Sequence, residues 1–125
     1  MYHRFQLWAP VVVYMALLTF LPQGVDLSRI ERVSDKALHV GAYMALGGLT
    51  LRAFHGGWPR LRGRAATRAA LLTLGYGAAD ELYQAVVPWR DPSVLDWLAD
   101  AVGMGLAILA TGLGSVVKCR WNGGS

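Results

Sequence analysis

The sequence predicts an all-α protein, an integral membrane protein built as a four-transmembrane-helix bundle. Hydrophobic residues make up 54% of the 125 residues and charged residues only 16%, whereas soluble domains carry about 25% charged residues. Four apolar stretches approach the roughly 20 residues that a helix needs to cross a bilayer. None of them shows the alternation of polar and apolar residues that is typical of a half-buried strand. We expect residues 1–125 to form one domain.

The first two helices are predicted over about residues 5–21 and 36–54. The first has no ionisable residue between Leu7 and Leu21, and Pro22-Gln23-Gly24 marks its end. Its basic start and apolar core also suit a signal peptide, but no small-x-small cleavage pattern follows, so we expect it to remain as a spanning helix. Ser34 is placed to cap the second helix, and Gly56-Gly57-Trp58-Pro59 ends it.

The third and fourth helices are predicted over about residues 66–87 and 96–117. Pro88 closes the third, and Ser93 with Asp96 forms a variant capping box before the fourth. Small residues one helical turn apart allow two backbones to approach closely. We therefore expect helix contacts at three such pairs: Gly41 with Ala45, Gly75 with Ala79, and Gly103 with Ala107.

The charges predict the orientation of the chain in the membrane. The N-terminus, the second connection and the tail hold eight basic residues and no acidic one, and the other four basic residues lie on the opposite side with all eight acids. Short basic loops stay in the cytoplasm, so both termini are predicted to be cytoplasmic. The basic residues thereby have a role in orientation and in contact with anionic lipid, and nucleic acid is not predicted as a partner.

Polar residues gather at the predicted outer ends of the second, third and fourth helices. A carboxylate facing lipid near the middle of a helix costs about 2.5–3.5 kcal/mol, so we expect these side chains to turn inward and meet. Five of the residues are carboxylates and two are permanent cations, which predicts a shared proton, a charged histidine or an entering cationic group. The predicted ligand-binding set is Asp35, Lys36, His39, Tyr43, Asp80, Glu81, Gln84, Arg90, Asp96 and Asp100.

A purely structural interpretation of this set stays open. Inward ion pairs can hold a bundle together, and Asp35 and Asp96 stand at helix starts, where acids are favoured. The convergence of several residue types on one membrane depth favours a functional site instead. Within it the candidate catalytic residues are His39, Glu81 and Asp100.

The same residues resemble the signatures of the VanZ-like family of small bacterial membrane proteins. The resemblance spans about residues 35–105 and departs from the family pattern at Val40, Tyr83 and Trp89. It implies a multi-pass protein of the bacterial cytoplasmic membrane; the family's namesake is associated with teicoplanin resistance. The matching motifs are Asp35-Lys36-x-x-His39-x-x-x-Tyr43-x-x-Leu46-Gly47, Asp80-Glu81-x-x-Gln84-x-x-x-Pro88-x-Arg90 and Ser93-x-x-Asp96-x-x-x-Asp100-x-x-Gly103.

Three functions remain as hypotheses. In the first, the outer pocket binds a lipid headgroup or a cell-envelope lipid intermediate. In the second, the protein is an intramembrane enzyme that acts on a lipid-linked substrate, with His39 as base or nucleophile. In the third it is a structural or partner subunit.

The cluster has one histidine and no cysteine, which suits zinc poorly and magnesium or manganese somewhat better, so no metal or other cofactor is predicted. The sequence also allows a homodimer through a face of small residues.

Overall fold

The computed structural model describes residues 2–20, 35–57, 61–87 and 93–123. Its elements are four helices: α1 (Tyr2–Phe20), α2 (Asp35–His55), α3 (Gly63–Ala85) and α4 (Val94–Gly123). No strand occurs in these ranges. The all-α class and the four helical segments that the sequence predicts are therefore confirmed.

The ends of the helices differ from the predicted ends mainly in α3 and α4. Helix α4 continues past residue 117 to Gly123, because residues 118–122 contain neither proline nor glycine to stop it. Helix α3 begins at Gly63 and ends at Ala85, before a turn at residues 86 and 87. Both differences add or remove residues at the ends of the helices and leave the polar residues on the same helices.

The four helices run alternately up and down, with α2 packed against each of the other three. At one end the His3 ring is hydrogen-bonded to the carbonyl oxygen of Gly56 at 3.3 Å, and the amide of Leu61 donates to the Ser115 hydroxyl at 3.2 Å. At the other end Lys36 contacts Asp96. These contacts bring the starts of α2 and α4 to the same end of the bundle as the close of α3.

Two apolar clusters form the core, one on each side of α2. In the first, Leu7 and Val11 of α1 lie against Leu46 of α2. In the second, Leu51 of α2 lies with Met104 of α4 and with small residues of α3 and α4. The buried threonines of α2 and α3, Thr50 and Thr73, are joined by a hydrogen bond of 2.9 Å, so their hydroxyls are satisfied inside the core.

Glycine brings α2 and α4 into close contact. A Cβ added at Gly103 would collide with the Val40 carbonyl oxygen and would lie 2.8 Å from the Met44 nitrogen, both backbone atoms of α2. This confirms the contact expected at Gly103 with Ala107, which are both buried. The same expectation is wrong within the chain for Gly41 with Ala45 and for Gly75 with Ala79, which are exposed because those helix faces point away from their neighbours.

One helix among the described residues, α4, is long and apolar enough by itself to cross a membrane. Only 17% of its apolar window is buried inside the bundle, so α4 differs from the core helix of a soluble protein. The other three fall short because polar residues occupy their ends, such as Arg4 in α1 and Arg64 with Glu81 in α3. The structure therefore supports one spanning helix on this criterion, which is less than the predicted four.

The close approach at Gly103 gives a prediction with an internal control. Gly103→Ala should lower the free energy of unfolding by about 1–3 kcal/mol, because the added methyl group meets backbone that side-chain rotation cannot move aside. Gly105→Ala lies two residues further along the same helix, has open space at its Cβ and should melt at the same or a higher temperature, since alanine favours the helix. Thermal melting of both variants in detergent measures the difference. Equal melting temperatures would contradict the packing described.

Candidate functional site

Five of the predicted site residues meet at the end of the bundle where α2 and α4 begin and α3 closes. Arg90 lies outside the described residues, and of Asp35 only the backbone is described. The five residues, here called the polar cluster, come from three helices: Lys36, His39, Glu81, Asp96 and Asp100.

The centre of the polar cluster is a bond between His39 and Asp100. Nδ1 of His39 lies 2.8 Å from Oδ1 of Asp100, whose side chain is 1% exposed. When Asp100 is ionised its carboxylate can only accept, and Nδ1 of His39 is then the donor. Tyr43, one turn further along α2, is buried and lies with its ring nearly parallel to the His39 ring at a centroid distance of 6.4 Å. Its burial makes Tyr43 part of the lining of the site, rather than an aromatic residue at the membrane surface.

Asp96 connects the centre of the cluster to its rim. Its Oδ1 is 2.6 Å from Nζ of Lys36, and its Oδ2 is 3.9 Å from Nε2 of His39. The Lys36 side chain is 47% exposed, whereas that of Asp96 is 10% exposed. Asp96 therefore does more than stand at a helix start, because its carboxylate is held inside the cluster by two residues of α2.

The third helix contributes Glu81, while its neighbours turn elsewhere. Oε2 of Glu81 accepts a hydrogen bond of 3.0 Å from the backbone amide of Ser93, which precedes α4. This bond ties the end of α3 to the start of α4. Gln84 instead donates to Asp80 at 3.2 Å along the same helix, so these two predicted site residues form a pair beside the polar cluster.

Gly77, which is not among the predicted site residues, provides the space for Asp100. A Cβ at Gly77 would lie 3.0 Å from Oδ2 of Asp100 and 3.1 Å from the ring of Tyr43. The signal was present in the sequence, because Gly77 stands one turn before Glu81 in a row of mostly small residues at every fourth position of α3, and this row is buried. That row is Ala65, Ala69, Thr73, Gly77 and Glu81.

Trp97 of α4 suits either a membrane surface or a contact between helices, because its ring is apolar and its N–H is polar. Its indole nitrogen donates a hydrogen bond of 3.0 Å to the Leu74 carbonyl oxygen of α3. Trp97 thus joins α4 to α3 one residue away from Asp96. The sequence could not distinguish the two roles, since an amphipathic tryptophan suits both.

The polar cluster also has ligand atoms in the arrangement of a metal centre. One nitrogen of His39 and one oxygen each of Glu81 and Asp96 lie within 4.8 Å of one another, and the two acids are buried. Each of the three residues comes from a different helix. The arrangement is capable of polarising a bound group, accepting a proton from it, or holding a cation.

A cavity of about 820 Å³ lies elsewhere, along the exposed side of α2 and α4. It starts near Met44 and continues past Gly48 and Gly114 towards Lys118. Its wall is mostly apolar and contains none of the polar cluster. The cavity is therefore a groove separate from the charged side chains of the polar cluster.

Comparison with known proteins identifies no relative of this chain: no protein-family model, no curated protein and no solved structure matches it.

The bond between Glu81 and Ser93 predicts different results for two substitutions. Glu81→Gln keeps an oxygen that accepts from the Ser93 amide, so its melting temperature should stay near that of the wild type. Glu81→Leu leaves that partly buried amide without its acceptor and should cost about 1–2 kcal/mol. Chemical or thermal unfolding of the two variants in the same detergent provides the comparison. If the glutamine variant loses as much stability as the leucine variant, the charge of Glu81 rather than its hydrogen bond holds the two helices.

Proposed function

We propose that this protein is a VanZ-like multi-pass protein of the bacterial cytoplasmic membrane, whose polar cluster binds the headgroup of a lipid or of a cell-envelope lipid intermediate. All four helices span the membrane in this proposal, both termini are cytoplasmic, and the cluster opens to the outer face. The observation that carries the proposal is the meeting of acid and base side chains from α2, α3 and α4 at one end of the bundle.

Exposed apolar side chains support the membrane location. Large hydrophobic residues with more than half of their surface exposed occur on α1, α3 and α4, among them Val12, Leu71 and Leu113. A soluble monomer rarely exposes apolar surface on this scale, whereas hydrocarbon chains would cover it in a bilayer. Helices that fall short of a hydropathy criterion still span membranes when their polar ends lie at the faces or inside a bundle.

The distribution of charge supports the orientation. The end of the bundle opposite the polar cluster carries only basic charged residues among those described, and we call it the basic end. A cytoplasmic face enriched in lysine and arginine is the usual arrangement in membrane proteins. The residues of the basic end are Arg4, Arg52, Arg62, Arg64, Arg68, Lys118 and Arg120.

The resemblance to VanZ-like proteins is carried by the residues that line the polar cluster. The first motif contributes Lys36, His39 and Tyr43, and the later motifs contribute Glu81 and Asp100. That the matching positions converge in space supports a common site. A connection with glycopeptide resistance is part of the same proposal and follows from the resemblance alone.

The mixed charge favours a headgroup with both signs or with hydroxyl groups. Lys36 is half-exposed at the rim and is suited to a phosphate, while the carboxylates of Glu81 and Asp96 are suited to amines or sugar hydroxyls. The groove that starts near Met44 provides an apolar surface for an acyl chain. Headgroup and chain would then lie side by side on α2 and α4.

A second candidate, an intramembrane enzyme that acts on a lipid-linked substrate, is favoured by the pair of His39 and Asp100. A buried carboxylate that holds Nδ1 of a histidine orients the ring and stabilises its protonated form, as a general base requires. In this case Nε2 of His39 would accept the substrate proton. Binding and catalysis use the same residues, so the state of the bound lipid distinguishes them.

The first experiment compares His39→Ala with His55→Ala. We expect the purified wild type to carry a bound phospholipid or lipid-linked intermediate that is detected by native mass spectrometry. His39→Ala should lose most of this lipid, because the ring lies in the polar cluster. His55→Ala should retain it, because His55 lies at the far end of α2, beside the basic end, and is hydrogen-bonded to Leu51.

The outcomes separate the candidates. An intact lipid that is lost only in His39→Ala supports headgroup binding, and a cleaved or transferred product that appears on incubation supports catalysis. Equal lipid content in the two folded variants would contradict both and would leave a structural role for the charges. Monodisperse elution of each variant in the same detergent is the control for folding.

A further inference from the structure

The geometry points to a divalent metal site in the polar cluster, with His39, Glu81 and Asp96 as ligands and Asp100 as the residue that orients His39. This inference goes beyond lipid binding and stands without it, because the ligands come from the protein alone. Its first support is that one nitrogen and two carboxylate oxygens, each from a different helix, lie within 4.8 Å of one another.

The distances need only a small adjustment to surround an ion. Metal–ligand bonds of about 2.1 Å bring neighbouring ligand atoms to about 3 Å from one another. Nε2 of His39 and Oδ2 of Asp96 are already 3.9 Å apart. The remaining contraction would come from the side chains of Asp96 and Glu81, whose other oxygen contacts are with Lys36 and with the Ser93 amide.

Asp100 is placed to orient His39 without itself binding the metal. Its Oδ1 lies 2.8 Å from Nδ1 of His39. When Asp100 is ionised, the ring proton is on Nδ1, and Nε2, which faces Asp96, keeps its lone pair for a metal. Histidines that bind metals commonly donate their other ring proton to a carboxylate in this way.

The charge of the cluster matches a divalent cation. Glu81, Asp96 and Asp100 carry three negative charges when ionised, and Lys36 supplies one positive charge at the rim. With His39 neutral the five residues carry a net charge of minus two. Burial makes that excess costly, and a divalent ion neutralises it. The two oxygens of Asp96 have different partners: Oδ1 contacts Lys36, and Oδ2 faces His39 and is the one placed to bind a metal.

The donor set indicates the class of metal. Two carboxylate oxygens outnumber one imidazole nitrogen, and no sulfur ligand is part of the set, so a hard ion with affinity for imidazole is expected. Manganese(II) meets both conditions and is visible by electron paramagnetic resonance. It is therefore the probe of choice.

The test titrates Mn²⁺ into the full chain in detergent after treatment with a chelator, and follows the loss of the free-ion resonance signal. The wild type should bind one Mn²⁺ per chain. Glu81→Gln keeps the acceptor for Ser93 and removes one ligand charge, and it should weaken binding at least about tenfold. Asp100→Asn should weaken binding by about 10- to 100-fold, as expected for an outer-shell partner. Asp80→Asn, which removes the neighbouring carboxylate outside the cluster, is the matched control and should bind like the wild type.

Two results would overturn the site. One is a wild type that takes up no Mn²⁺, and the other is an affinity that Glu81→Gln and Asp80→Asn change equally, which indicates general attraction to acidic surface or to detergent-bound lipid. Should the acid variants fail to fold, electron spin-echo measurements on the wild type and on two histidine variants decide. Coupling of bound Mn²⁺ to a histidine nitrogen that disappears in His39→Gln and persists in His55→Gln supports the site. The absence of any nitrogen coupling contradicts it.

Discussion

The burial of one carboxylate, that of Asp100, is the constraint on which the rest of the structure depends. The charge lies almost fully out of solvent near the crossing of α2 and α4, and an unpaired charge in such a place would be strongly destabilising. His39 compensates it directly. The compensation requires the two helices to be close, which Gly103 provides, and it requires room on α3, which Gly77 provides. Two glycines and one histidine thus make an otherwise costly residue tolerable.

The chain has different chemistry at its two ends. Acids and their partners collect where α2 and α4 begin, and the basic residues collect at the other end, with mostly apolar surface between. Polar residues at helix ends lower the hydropathy of α1, α2 and α3, so a criterion based on composition alone selects only α4. On α2 and α3, polar residues that lower the hydropathy of the helix also form the candidate site.

Much of the site could be predicted from the sequence because helical spacing determines which side chains share a face. His39 and Tyr43 on α2, and Asp96 with Asp100 on α4, are four residues apart and are predicted to share a face, with Lys36 beside the first pair. His39 lies against Tyr43 and Asp100, and Lys36 contacts Asp96. The need to shield charge from lipid then predicted that the helices would bring these faces together. Four segments and their approximate ends followed from length and hydrophobicity in the same manner.

The remaining features could not be predicted, because spacing identifies a face but not the neighbour that it contacts. Gly75 and Gly77 differ by two residues on one helix, and only the second lies against Asp100. The role of the Ser93 amide depends on where the chain enters α4, and this is a property of the connection rather than of either helix. The contact of Trp97 could not be predicted for a related reason. Its partner is a backbone carbonyl, and since every residue has one, the sequence does not indicate which carbonyl is the acceptor.

The most direct test of the account is a distance between the ring of His39 and the carboxyl group of Asp100. Solid-state nuclear magnetic resonance of protein labelled with ¹⁵N in histidine and ¹³C in the aspartate carboxyl measures it in lipid bilayers. The structure predicts a nitrogen–carbon separation of about 3.5 Å, from a hydrogen bond of 2.8 Å and the length of a C–O bond, and predicts that the coupling vanishes in His39→Gln. A wild type without any short histidine–aspartate coupling would contradict the meeting of α2 and α4 in the polar cluster.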